Sequence, residues 1–140
     1  VLLGLAQVGQ FAFRIVDAAN LRIRAAFLAE EGIEAMRFLR ASGWNANVAP
    51  KALCADYYLS FSSGSWQISA SPAPLVDGAF DRRVRFEAVN RDAASDITAT
   101  SCSEAGSDPD TRRVRVTVEW TNRGQTSSVV LSTFLTNLFQ

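Results

Sequence analysis

The sequence predicts an α+β fold: a long N-terminal α-helix whose second half packs on a four- to five-stranded antiparallel β-sheet. Three features of the chain lead there. Residues 1–40 run without a proline or a cluster of turn residues. Beyond Pro50 the apolar period switches from helical to alternating. The alternating segments are apolar on one face only, and the sole element able to cover that face is the one-sided part of the helix.

The helix changes character along its length. Up to Phe13 it is apolar nearly all round, with Leu2, Leu3, Leu5, Val8, Phe11 and Phe13, and only Gln7 and Gln10 as polar side chains. Such a helix is buried in a large core, a membrane or a bundle of its own kind. From Leu21 the apolar residues Leu21, Ala25, Leu28, Ala35, Met36 and Leu39 recur at three- and four-residue spacing, so they share a face. Ser42-Gly43, then Asn45, Asn47 and Pro50, signal the end, and Gly43 is expected in the left-handed C-cap conformation. A helix of this length reaches roughly 60 Å, about twice the width of a small domain. The expected organisation is therefore a helical spine over residues 1–42, with 1–20 projecting and 21–42 packed, and an antiparallel β head over 43–140.

Strands follow in order. Tyr57, Leu59 and Phe61 alternate with Tyr58 and Ser60, Ser62-Ser63-Gly64-Ser65 turns, and Trp66, Ile68 and Ala70 return, which reads as a hairpin. Pro72 and Pro74 end it, and Asp77-Gly78 turns. Residues 83–88 alternate again. Residues 92–110 are polar and read as loop, with a short strand near Ile97. Val114, Val116, Val118 and Trp120 point one way and Arg113, Arg115, Thr117 and Glu119 the other. Asn122-Arg123-Gly124 reverses the chain into Val129, Leu131, Thr133 and Leu135.

Composition limits the chemistry. The net charge is zero, which argues against a nucleic-acid binder held by a basic patch. No histidine is present, so the commonest general base and metal ligand are both missing. Ser60, Ser62, Ser63 and Ser65 have no histidine to activate them, and nothing points to Lys51 as a substitute. An enzyme is not expected, nor a cofactor. Cys54 and Cys102 match no close-paired zinc or redox motif. A disulfide is expected, with two buried thiols as the alternative, and a disulfide places the chain outside the cytoplasm. Glu104, Asp108 and Asp110 crowd one loop and form a weak calcium candidate, lacking the spacing of a known calcium loop. Tyr57, Tyr58, Phe61 and Trp66 are candidates for a binding patch, although core packing is the first expectation. Arg82, Arg83, Arg85, Arg112, Arg113 and Arg115 are expected on the wet face, facing acidic neighbours of another subunit rather than DNA.

The layout resembles a type IV pilin or pseudopilin. The run Leu28-Ala29-Glu30-Glu31-Gly32-Ile33-Glu34-Ala35, the arginine-rich turn after it, and Trp44-Asn45 near the helix end resemble the PilV-like minor-pilin branch. Residues 114–120 followed by 131–137 are similar to that branch's closing hairpin. The family's Gly and Phe-Thr-Leu-x-Glu start is absent, so its assembly glutamate has no counterpart here. The resemblance implies that residues 1–13 are the remainder of a membrane-spanning helix whose beginning lies upstream; alone they are too short to span a bilayer. It implies a structural subunit, major or minor, that waits in the inner membrane and then packs with copies of itself or other pilins in an extracellular filament. A pseudopilin of a type II secretion-type system and a tip adhesin or DNA-uptake pilin are the alternatives. Some pseudopilins hold calcium in a head loop. Arg14 and Asp17, the first charges along the helix, are expected to pair, within the helix or between neighbouring subunits, or else to stand solvated at the membrane edge.

Overall fold

The structure is a computed structural model and describes residues 2–138. A single helix, α1 (Leu2–Ser42), is followed by one further turn, α2 (Trp44–Asn47), and six strands. These are β1 (Tyr57–Ser62), β2 (Ser65–Ser69), β3 (Phe80–Arg91), β4 (Ile97–Ser101), β5 (Thr111–Asn122) and β6 (Gln125–Thr136). All strand pairs are antiparallel, in the order β2-β1-β3-β5-β6, with β4 paired to β3 outside that path.

The sheet has six strands rather than four or five. The extra member is β4, which takes the edge of β3 beyond the point where β1 leaves it. Tyr57 and Tyr58 pair with Val84 and Arg83, whereas Ser101 and Thr100 pair with Ala88 and Val89. Two segments thus share one edge end to end, and the Cys54–Cys102 disulfide joins them where they meet, with Cα atoms 5.5 Å apart. Cys54 N–H also donates to the Phe86 carbonyl at 2.7 Å, anchoring the bridge to β3.

Turn chemistry sets the hairpins. Ser63-Gly64 and Arg123-Gly124 both have positive φ at each central residue (52° and 75°; 51° and 79°), the type I′ geometry that matches strand twist. Gly43 departs from the expected left-handed C-cap. Its φ of 153° and ψ of 107° redirect the chain into α2, so that Trp44 and Val48 turn back into the core.

The dry face of the sheet is covered by the second half of α1. Val84, Phe86, Val114, Val116 and Val118 are fully buried against Ala25, Ala29, Met36 and Leu39. The helix side of this contact is built from small residues, which lets its backbone approach closely. A Cβ on Gly32 would lie 2.7 Å from Val116 Cγ1. We expect Gly32→Val to lower stability by about 1–3 kcal/mol through overpacking, read as a fall in the thermal midpoint. An unchanged midpoint would mean that the helix does not sit this close.

Candidate functional site

The first half of α1 leaves the sheet behind. Residues 2–20 are exposed apart from the half-buried Gly9. Leu2 and Phe13 expose 84% and 76% of their surface, and Leu3, Leu5, Val8 and Phe11 at least 66%. Exposed apolar residues on this scale mark an interaction surface. The surface is longer than the six residues singled out from sequence. Ile15, Val16, Ile23 and Phe27 are also exposed, the last two on a stretch of α1 whose opposite side is already packed on the sheet. Their spacing was legible: Val16, Ile23 and Phe27 follow one another at seven and four residues. Among the described residues no helix is long and apolar enough to cross a membrane.

The expected Arg14–Asp17 pair does not form within the chain. Asp17 Oδ2 instead accepts a hydrogen bond from Asn122 Nδ2 at 3.4 Å, because the β5–β6 turn reaches this level of the helix. Arg14, Gln10, Phe13 and Arg123 line a shallow recess there.

The arginines divide between the two faces of the sheet. Arg83, Arg85, Arg113 and Arg115 stand on the wet face, as expected. Arg82 and Arg112 do not: both are buried on the helix side. Arg82 donates to the Leu28 carbonyl at 3.3 Å, pairs with Glu31 at 3.3 Å and lies over the Trp66 ring. Arg112 makes a two-pronged contact with Glu104 at 2.8 and 3.0 Å. Alternation placed them inward by position, since Arg82 is two residues from Val84 and Arg112 two from Val114. Their charge, rather than their place in the alternation, is what suggests the wet face.

On the wet face, Arg85 opposes Arg115 and Asp81 opposes Glu119 in register, which alone would destabilise the pairing. Nearby opposite charges resolve this. Arg83 bonds Glu119 at 2.9 Å and Asp81 at 3.1 Å, Glu87 bonds Arg113 and Arg115, and Arg85 bonds Asp56. The arginines are therefore matched by carboxylates of the same chain, and the face offers no net positive field to a nucleic acid.

The hydrogen bond from Arg85, helped by its charge and that of Arg83, holds the Asp56 carboxyl below its ordinary pKa against a smaller opposing effect of burial. Asp108 is lowered chiefly by the Thr111 hydroxyl, then by Arg91. Groups depressed in the folded state contribute stability above their unfolded pKa and lose it as pH falls through the folded one. The protein is thus expected to keep its thermal midpoint from neutrality to about pH 4 and to lose it below. Asp56→Asn and Asp108→Asn, melted across that range, should show a shallower acid loss than the parent.

The loop carboxylates do not converge on a metal position. Glu104 turns to Arg112, Asp108 to Arg91 at 2.7 Å and to Thr111, and Asp110 accepts from Asn137 at 3.1 Å. Among the described residues no group of three or more metal-ligating side chains is assembled. The aromatic residues also separate. Tyr57 is buried edge-on to Phe86, its hydroxyl accepting the Ala52 N–H at 2.7 Å, whereas Phe61 is exposed with Trp66 edge-on beside it. Lys51 lies over the Tyr57 ring. No family model, no curated protein and no solved structure matches this chain.

Proposed function

We propose that the chain is a structural subunit of a type IV pilus-like extracellular filament, assembling through the apolar first half of α1. The observation that carries this reading is the division of α1. Its second half completes the core of the head, whereas residues 2–13 are apolar nearly all round and exposed apart from Gly9. Burying such a helix yields about 25 cal/mol per Å² whether the surroundings are lipid or identical helices. A subunit of this kind can wait in the inner membrane and then move into a filament core. The disulfide suits an oxidising compartment and a head displayed outside the cell.

A secretion pseudopilin is the nearest alternative and would use the same helix. A DNA-uptake role is weakened by the internally neutralised arginine face. Immunogold labelling of filaments sheared from the producing cells tests the proposal. Label along long filaments is the expected result; label confined to short membrane-bound stubs favours the pseudopilin, and label only on released monomer contradicts both.

A further inference from the structure

Most arginines of this chain are matched to a carboxylate. Among the described residues Arg14, Arg22, Arg40 and Arg123 have no ion-pair partner, and Arg14, Arg22 and Arg123 stand together where α1 leaves the sheet. Arg14 follows directly on Phe13, the last residue of the apolar run. The β5–β6 turn, with Arg123 at its tip, brings a second guanidinium to the same recess as Arg14 and Phe13. Arg22 lines the adjoining recess with Asn122 and Gln125. The one carboxylate between these arginines on the helix, Asp17, is turned to Asn122. The junction therefore carries a local positive excess in a chain whose net charge is zero.

We propose that this arginine collar binds the phosphate groups of an anionic phospholipid surface while the apolar half of α1 lies in the bilayer. The inference rests on the filament-subunit reading, and deepens it by naming what holds the waiting subunit at the membrane. Position supports the lipid assignment. The guanidiniums begin where the run that is apolar nearly all round ends, at Phe13, so placing that run at hydrocarbon depth sets Arg14 and Arg123 at headgroup level. Arginine donates in a fork that fits phosphate oxygens two at a time, and its aliphatic stem can follow the apolar surface beside Phe13.

The test is flotation of the full chain with vesicles of phosphatidylcholine, with or without phosphatidylglycerol. Arg14→Gln/Arg123→Gln is compared with the parent, with Arg14→Lys/Arg123→Lys, and with Arg37→Gln as a control remote from the collar. All these positions are exposed, and an unchanged thermal midpoint checks the fold. The parent is expected to bind phosphatidylglycerol vesicles more tightly by roughly 5-fold per engaged arginine, an advantage that high salt removes. The glutamine pair should lose that advantage and keep its binding to phosphatidylcholine, the Arg37 variant should retain both, and the lysine pair, which keeps the charge but not the fork, should fall between. Equal binding of parent and glutamine pair to phosphatidylglycerol vesicles, with phosphatidylcholine binding intact, overturns the collar and leaves the subunit reading standing. No binding of the parent to either vesicle overturns both.

Discussion

Replacing both cysteines, Cys54→Ser with Cys102→Ser, is expected to cost the protein about 4 kcal/mol of stability. The bridge closes a separation of 48 residues, and the loop-closure entropy it removes from the unfolded chain sets that figure. Native stabilities are about 5–15 kcal/mol, so the loss approaches the whole margin of a marginal domain. Its structural effect should be local first. The bridge holds the segment before β1 against the end of β4, and these are the two pieces that share one edge of β3. Hydrogen exchange is expected to rise in β4 and in residues 50–57 before it rises in β5, whose long pairing with β6 does not depend on the bridge. A double variant that melts with the parent, with β4 equally protected, would show that strand pairing alone holds this edge.

A charge placed on the exposed half of α1 should abolish assembly while leaving the head folded. Leu5 and Phe11 lie on the exposed half of α1 and are each about two-thirds exposed. Leu5→Asp and Phe11→Asp therefore remove little intramolecular packing. In a filament core each would bury a carboxylate without a partner, at a cost of several kcal/mol per subunit. The expected outcome is an unchanged melting curve and no incorporation into filaments, scored by co-sedimentation with the parent protein. Incorporation at the parent's level would place the assembly contact elsewhere, with Ile23 and Phe27 the next surface to test.

Much of this architecture was legible because periodicity is a backbone property. The alternation of Val114, Val116, Val118 and Trp120 is met by their burial in register, and the helix face from Ala25 to Leu39 is the one that covers them. Cys54 and Cys102 are bonded. The differences concern charge and strand number. Arg82 and Arg112 obey the same alternation as their valine neighbours, but their charge suggested the wet face; long stems and the carbonyl and carboxylate partners of the helix side make the inward position tolerable. Strand β4 was legible only as a short strand near Ile97 in an otherwise polar stretch, since Ile97–Ser101 has one large apolar residue and is held by edge pairing and the nearby disulfide rather than by burial. Asp17 could not be paired from sequence because its partner, Asn122, is 105 residues away. The uncovered half of α1 was legible as an excess of apolar surface, and no described residue covers it.

If the uncovered half of α1 is an assembly surface, removing detergent from the purified full chain should produce filaments, followed by sedimentation and negative-stain electron microscopy. The expected result is regular filaments of uniform width, formed by the parent and lost in Leu5→Asp and Phe11→Asp. A parent that remains monomeric in detergent-free buffer, with α1 exposed and stable, would contradict it.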